Sequence, residues 1–286
     1  MIAKKSGVSI EAPRPTSRFW SVPGAEGTQR EIRIHTLEWP SVATRPLLFL
    51  HGGGAHAHWW SHIAPRFADT HRPFALDLRG HGDSDHSPNG YPPDVLAHDV
   101  ESVIDQLGGS AEVIGASLGG IVALRVASRG RIRRLVVVDS PPEPPANIVE
   151  NRALLARPKR YPSREEAIRR FRLMPPDNAA RPELLRYIAE HSIRPTGDGS
   201  WTLKYDTTLF ATPAPRPLYE VLSSVVCPVL YVRGEKSELV SEAMANDVVR
   251  RLPRARTITI AGAHHHVFLD RPEELVAAAR EFLAED

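Results

Sequence analysis

Short apolar runs that alternate with longer helical patterns constrain the fold of this chain more than any other feature. Each run is rich in leucine or β-branched residues and precedes a Gly-rich or polar turn. The runs are PLLFL, PFALDL, AEVIG, RLVVVD, PVLYV and TITIA. They lack strict polar alternation, which suits strands covered on both faces. This rhythm predicts an α/β fold with a mostly parallel sheet flanked by helices.

Two further strands are predicted upstream, which gives an eight-stranded sheet. FWSVPG and REIRIHTLEW are separated by a Gly-rich turn and predict an antiparallel hairpin at the sheet edge. The predicted helices are HWWSHIAPRFA, PPDVLAHDVESVIDQLG, SLGGIVALRVASRG, SEAMANDVVRRL and PEELVAAAREFLAE.

The alternation of strand and helix breaks after the sixth strand. Residues 141–222 begin with a proline cluster and show helical patterns without a convincing buried strand. Ser163 to Glu166 is an S-x-x-E capping box, and Pro182 begins the pattern PELLRYIAEH. We therefore predict a helical cap over 141–222, inserted into a core formed by 1–140 and 223–286.

The charge balance excludes several function classes. The 286 residues include 36 Lys plus Arg and 34 Asp plus Glu, a formal net charge of +2, so we expect neither a nucleic-acid nor a membrane partner. The single cysteine, Cys227, excludes an internal disulfide and fits a reducing compartment. The N-terminus has no apolar stretch behind its lysines, so we expect a cytoplasmic protein. Whether it is a monomer or a homodimer stays open.

The strongest chemical motif is G-x-S-x-G at Gly115 to Gly119. It follows a predicted strand directly and opens a predicted helix. A nucleophile elbow requires this context, because a sharp turn lifts the serine out of the sheet and flanking glycines relieve crowding. The pattern therefore predicts that Ser117 is a catalytic nucleophile.

Four motifs in the same order resemble the α/β-hydrolase superfamily, in its branch of capped serine hydrolases that includes esterases and C–C hydrolases. HGGG begins at His51, DLRGHGDSD begins at Asp77, and the elbow and a late histidine loop follow. The resemblance covers about residues 30–140 and 223–286. It implies an oxyanion hole formed by the backbone N–H groups of Leu118 and Gly53, with Gly54 as the competing donor. Such donors stabilise the charge that acyl transfer places on a carbonyl oxygen.

The late loop AGAHHHVFLDRP offers three consecutive histidines. Relatives often end in a stretch like G-H-x-x-x-x-[DE]-x-P, with the catalytic histidine seven residues before the proline. Counting back from Pro272, the resemblance implies His265 as the base and places His264 where relatives have glycine. We expect His264 and His266 to be structural. We expect no metal site there, because adjacent residues seldom point at one ion and no cysteine cluster supports it. We expect none in HAHWWSH either, because it lacks the Asp-His of H-x-H-x-D-H sites.

The third triad member has more than one candidate. A carboxylate must orient the histidine and stabilise its charged form. The loop RGEKSELVS lacks aspartate, and Ser237 stands where many relatives carry the acid. In a subset of relatives the acid lies one residue later, which implies Glu238 as the first choice. Asp139, after RLVVV, is the rival because some members place the acid there, and Glu235 ranks behind both.

These residues predict a serine hydrolase that cleaves a small carboxylic ester through an acyl-enzyme. No cofactor or metal is expected, and the partner is a small-molecule substrate. Three alternatives stay open: a C–C bond hydrolase of ring-fission products, a cofactor-free perhydrolase, and a slow-turnover ligand receptor. Epoxide hydrolase and dehalogenase chemistry is disfavoured, because those relatives have aspartate at the position of Ser117.

Overall fold

The central sheet has eight strands in one layer. In a computed structural model, residues 13–24, 31–87, 89–143, 150, 156–210 and 218–285 are described. The chain's strands are β1 (Thr16–Val22), β2 (Ile32–Glu38), β3 (Pro46–Leu50), β4 (Arg72–Leu76), β5 (Ala111–Ala116), β6 (Ile132–Val138), β7 (Ile193–Pro195), β8 (Trp201–Leu203), β9 (Val229–Gly234) and β10 (Ala255–Ile260). The sheet runs β1-β2-β4-β3-β5-β6-β9-β10.

The strand directions confirm the predicted fold class. β2 pairs antiparallel with β1 and β4, and the other neighbouring strands pair in parallel. The parallel strands therefore end at the same edge, where the loops after β3, β5, β6, β9 and β10 meet.

Helices cover both faces of the sheet. The helices of the described residues, including those of the segment between β6 and β9, are α1 (Pro93–Gln106), α2 (Leu118–Ala127), α3 (Arg164–Arg170), α4 (Pro182–His191), α5 (Tyr219–Leu222), α6 (Glu242–Arg251), α7 (Val267–Asp270) and α8 (Pro272–Leu283). Leu48 and Leu50 of β3 belong to one buried cluster, and Leu47 and Phe49 belong to another. Successive strand residues point to opposite faces, so a strand buried on both faces reads as an unbroken apolar run.

The predicted helix HWWSHIAPRFA is wrong. The structure has two short 3-10 segments there, Ala57–Trp60 and Ala64–Phe67. Pro65 lies in the second segment and has no N–H to donate to the preceding turn, which disfavours one continuous helix.

The segment between β6 and β9, which we call the cap segment, contains α3, α4 and α5. The Ser163 side chain accepts a hydrogen bond from the Glu166 amide, as the capping box predicts. The segment also contains an antiparallel hairpin formed by β7 and β8, which was not predicted from the sequence. These strands have three residues each, too few for sequence periodicity to reveal. Part of the proline cluster lies outside the described residues.

The cap segment packs against loops at the carboxyl edge of the sheet. The Lys204 ammonium pairs with Asp83 at 2.8 Å, and the Tyr91 hydroxyl donates to Asp206 at 2.6 Å. The Ala179 amide donates to Asp270 at 2.7 Å. In the part of the chain that is described, no helix is long and apolar enough to cross a bilayer.

Candidate active site

Ser117 occupies a strained turn between β5 and α2. Its φ is 51° and its ψ is −120°, a conformation that costs energy in a residue other than glycine. The turn also needs glycine on both sides. A Cβ on Gly119 would lie 2.3 Å from the Leu50 carbonyl oxygen, and one on Gly115 would lie 2.6 Å from the Gly119 oxygen. The predicted G-x-S-x-G elbow therefore has the geometry that exposes a serine above the sheet.

His265 lies after β10 and faces a buried carboxylate. Its Nδ1 is 2.8 Å from Oδ2 of Asp139, the residue that follows β6. The Asp139 side chain is fully buried, and the His265 side chain is 4% exposed. This pair fixes Nδ1 as the protonated nitrogen, which leaves Nε2 as the basic one. The arrangement is that of a base held by its orienting acid.

Glu238 does not occupy the acid position, contrary to the sequence-based expectation. It is exposed, and within residues 218–285 no hydrogen bond or ion pair joins it to His265. The turn after β9 explains the difference: the Ser237 hydroxyl donates to Asp139 Oδ2 and accepts from the amides of Leu239 and Val240. Ser237 therefore points inward, and its neighbour faces solvent.

The other alternative acid, Glu235, has a different partner. Its carboxylate accepts the Gly262 amide at 2.7 Å. Asp139 instead collects donors from three sides: His265, the Ser237 hydroxyl and the Gly234 amide, the last at 2.9 Å. A buried carboxylate needs such donors to offset its lost hydration.

The candidate nucleophile and base line one pocket of about 320 Å³, a volume that includes its open mouth. The lining residues are Gly52, Gly53, Ala55, Trp59, Ala116, Ser117, Met174, His265, His266 and Phe268. Gly53 thus lines the same pocket as the serine. Gly54, the competing donor, has φ 74° and lies against Tyr205 and Phe210. The oxyanion roles of Gly53 and Leu118 stay predictions.

The neighbours of His265 have structural partners. The backbone amide and Nδ1 of His264 lie 2.7 and 3.1 Å from one Asp270 oxygen. His264 is not among the described non-glycine residues with positive φ. Its backbone is therefore not left-handed, and a histidine fits this position although relatives have glycine there. Nε2 of His266 lies 3.2 Å from the Pro175 carbonyl oxygen, within donating distance.

The histidines of HAHWWSH connect the core to its surroundings. Nε2 of His56 is 2.8 Å from the Ser192 hydroxyl, and Nδ1 of His58 is 2.9 Å from the Tyr187 hydroxyl. Nε2 of His62 lies 2.8 Å from the Phe268 carbonyl. These ring nitrogens are engaged by protein groups, which gives the cluster a structural explanation.

One other cluster has the residue types of a metal site. In the described residues, His35, Asp77 and Asp83 place ligand atoms within 4.8 Å of one another. The side chains already have protein partners, because Asp77 holds His35 and Asp83 holds Lys204. Asp77 also accepts the amides of Ala57 and Asp83, which stabilises the turn after β4.

Burial suppresses protonation of several histidines near the site. Desolvation lowers the pKa of His81 and of His266 to about 3, and nearby histidine charge adds to the effect in each. Burial also lowers the pKa of His51 and takes that of His56 well below its usual value. These side chains are therefore neutral in the folded protein near pH 7.

We expect the free energy of unfolding to fall steeply as the pH drops below about 6.5, the pKa of histidine in an unfolded chain. Below that pH the unfolded state binds protons that His51, His56, His81 and His266 exclude when folded. Each excluded proton lowers this free energy by about 1.4 kcal/mol per pH unit between the unfolded and folded pKa values, and His58 and His62, whose pKa values burial lowers to about 3 and about 4, add to the slope. Urea unfolding measured from pH 7.5 to 4.5 gives this slope.

Matched variants test the origin of the slope. His56→Gln should reduce it by about one proton, or roughly 1.4 kcal/mol per pH unit, because the variant has one fewer suppressed histidine. His98→Gln, at an exposed position, should leave it unchanged. Constant stability from pH 7 to 5 would contradict this account.

Comparison with known proteins identifies the family. The family model described as "Alpha/beta hydrolase family" matches residues 47–279. An esterase of Mycobacterium tuberculosis is 29% identical over 263 residues, covering 87% of this chain and 86% of that protein. The 2-(acetamidomethylene)succinate hydrolase of Mesorhizobium japonicum is 28% identical over 247 residues, covering 83% and 87%. The pimeloyl-[acyl-carrier protein] methyl ester esterase of Neisseria meningitidis is 26% identical over 256 residues, covering 84% and 93%.

Solved structures agree with the fold. A crystal structure of the M. tuberculosis esterase superposes with a TM-score of 0.75 at 26% identity, covering 96% of this chain and 93% of that one. The structure of E-2-(acetamidomethylene)succinate hydrolase superposes with a TM-score of 0.78 at 24% identity, covering 94% and 100%. The family model spans most of the chain, and the protein therefore belongs to the alpha/beta hydrolase family.

Proposed function

We propose that this enzyme is a serine hydrolase that cleaves small carboxylic esters through an acyl-enzyme on Ser117. The observation that carries the proposal is the buried contact between His265 and Asp139, which brings an oriented base to the pocket that Ser117 lines. Serine at its own pKa is a weak nucleophile, so a positioned base is the requirement for this chemistry.

The proposed reaction has two stages. The Ser117 hydroxyl attacks the ester carbonyl while His265 Nε2 takes its proton, and the Leu118 and Gly53 amides hold the oxyanion. The carbon–oxygen bond of the ester then breaks, and His265 returns the proton to the departing alcohol. Water attacks the acyl-enzyme with His265 again as base, which releases the acid and frees Ser117. Asp139 keeps its negative charge throughout and stabilises the imidazolium.

The relatives support an ester substrate. Two of them carry the names esterase and methyl ester esterase, and a third is a hydrolase of 2-(acetamidomethylene)succinate. We therefore assign a small acyl ester as the substrate class.

A substrate panel tests this assignment. Purified enzyme is assayed with p-nitrophenyl esters of two to eight acyl carbons, beside a dienoic ring-fission substrate and a peroxidation assay. We expect turnover of the short esters and no cleavage of the carbon–carbon substrate. Cleavage of the dienoic compound without ester turnover would favour a C–C hydrolase. Tight ligand binding without any turnover would favour a receptor.

Ser237 is a positioning residue in this scheme. Its hydroxyl donates to Asp139 Oδ2, the oxygen that also faces His265, so it holds the carboxylate in register with the ring. We expect Ser237→Ala to lower kcat by about 10-fold, the value of a hydrogen bond to a charged group, with little change in KM. Ser237→Thr keeps the hydroxyl and should restore kcat. A change in KM alone would contradict the positioning role.

A further inference from the structure

Trp59 carries a buried hydrogen-bond donor without a partner in the described residues. Its indole Nε1 is closed to solvent and has no acceptor within hydrogen-bond distance. The residue is 5% exposed and lines the pocket that contains Ser117 and His265. The next residue, Trp60, also has an unpartnered indole nitrogen, but it is not among the pocket-lining residues.

An unpaired indole N–H inside a protein is energetically costly. The group can only donate, and an unsatisfied buried donor carries the cost of its lost hydration without a compensating bond. Such groups in native proteins call for an explanation, and one explanation is a ligand that supplies the acceptor. Trp59 is a candidate for such a ligand, because its side chain lines the same pocket as the candidate nucleophile Ser117.

Aromatic neighbours hold the Trp59 ring in place. The centroid of His266 lies 5.5 Å from it, that of Phe268 lies 6.3 Å away, and that of His56 lies 6.4 Å away. These contacts reduce the entropy lost when the indole bonds a ligand, since the ring is already ordered. A group fixed in this way discriminates between ligands more sharply than a mobile one.

We propose that Trp59 selects esters that carry a second acceptor oxygen near the scissile carbonyl, such as alkoxy- or oxo-acyl esters, over their all-carbon isosteres. This inference rests on the proposed function, because an ester carbonyl bound at Ser117 would place the rest of the substrate next to Trp59. The carbonyl oxygen itself is assigned to the Leu118 and Gly53 amides, so the indole is left for a different oxygen.

In this proposal a neighbouring side chain moves to let a ligand oxygen reach the indole nitrogen, and we assign that movement to Met174. Met174 lines the same pocket, and its unbranched side chain changes rotamer at low cost. A site built to bond a polar substrate group disfavours the analogue that lacks it, because its own donor then stays unpaired. The selectivity therefore has two sources: the ether ester gains a hydrogen bond to Trp59, and the all-carbon ester leaves the indole donor unpaired.

Isosteric substrate pairs test the proposal. The ratio of kcat/KM for p-nitrophenyl methoxyacetate over butanoate is measured in the native enzyme and in Trp59→Phe, and likewise for 3-methoxypropanoate over pentanoate. The intrinsic reactivities of the esters cancel when one pair is compared between two proteins. We expect at least one ratio to fall by about 10-fold in Trp59→Phe, the loss of one net hydrogen bond.

Two controls separate the donor from packing. Trp60→Phe removes an equally buried indole N–H that does not line the pocket, and should leave both ratios unchanged. Benzothienylalanine at position 59 keeps the bicyclic shape without a donor, and should reproduce Trp59→Phe if that variant is poorly folded. Equal losses on all four esters, or unchanged ratios in both position-59 variants, would overturn the proposal.

A binding measurement separates this inference from the proposed function. The same ester pairs are titrated calorimetrically into Ser117→Ala, with and without Trp59→Phe. A lost preference for the ether ester supports the subsite even if the native enzyme hydrolyses none of the four. Turnover of all four esters with unchanged ratios and unchanged binding preference would overturn the subsite and leave the hydrolase assignment standing.

Discussion

Ser117→Ala is expected to lower kcat for ester hydrolysis by about 10⁶-fold, because the variant has no nucleophile from which an acyl-enzyme can form. Alanine removes no helix-capping hydrogen bond, since the Ser117 side chain does not cap α2. We expect the residual rate to reflect binding and oxyanion donors alone. Steady-state and single-turnover assays with a p-nitrophenyl ester measure the loss.

A second serine provides the matched control. Ser128 lies just beyond the other end of α2, and its hydroxyl donates to the Arg125 carbonyl at 2.7 Å. Ser128→Ala should keep kcat within about twofold, as surface changes away from a site usually do. If Ser117→Ala retained more than about one hundredth of the native rate, the reaction would not pass through this nucleophile.

Asp139→Asn is expected to lower kcat by about 10⁴-fold, as replacement of a triad aspartate does elsewhere. An amide N–H₂ at this position would face His265 Nδ1 and favour the tautomer whose Nε2 is already protonated. The base would then be unable to accept the Ser117 proton. Because the shape of the side chain is preserved, substrate binding should change little.

Glu238→Gln is the discriminating partner of that variant. Glu238 is exposed, so neutralising it should leave kcat within about twofold of the native value. Thermal denaturation of both variants checks that each is folded. A large loss of kcat in Glu238→Gln with a small loss in Asp139→Asn would reverse the assignment of the acid.

The sequence predicts the sheet and the elbow well because strong local rules determine both. Strands buried on two faces leave unbroken apolar runs, and the turn at Ser117 has no room for side chains at Gly115 and Gly119. His265 is also the histidine that the structure places against a carboxylate, as counting back from Pro272 implies.

The carboxylate that faces His265 could not be chosen from the sequence, because the choice depends on the orientation of side chains in the loop after β9. Asp139 and Glu238 follow neighbouring parallel strands, β6 and β9, whose ends lie at the same sheet edge. The decision depends on Ser237, which hydrogen-bonds to Asp139 and turns the β9 loop so that Glu238 faces solvent. No periodicity or motif encodes that orientation.

The sequence also could not show that the indole nitrogen of Trp59 lacks a partner among the described residues. Trp59 and Trp60 are adjacent and chemically identical, and only the path of the 3-10 segment Ala57–Trp60 decides which of them lines the pocket. The strands β7 and β8 were not predicted for a related reason, because tertiary context determines three-residue strands more than intrinsic propensity does.

Mass spectrometry of a trapped covalent adduct tests the central claim most directly. The enzyme is treated with a fluorophosphonate, which is expected to phosphonylate the serine that His265 activates, and is then digested and sequenced by fragmentation. We predict one adduct per chain, located on Ser117, absent from Ser117→Ala and formed far more slowly in Asp139→Asn. An adduct on another residue, or continued ester hydrolysis by fully modified protein, would contradict the assignment of Ser117, His265 and Asp139.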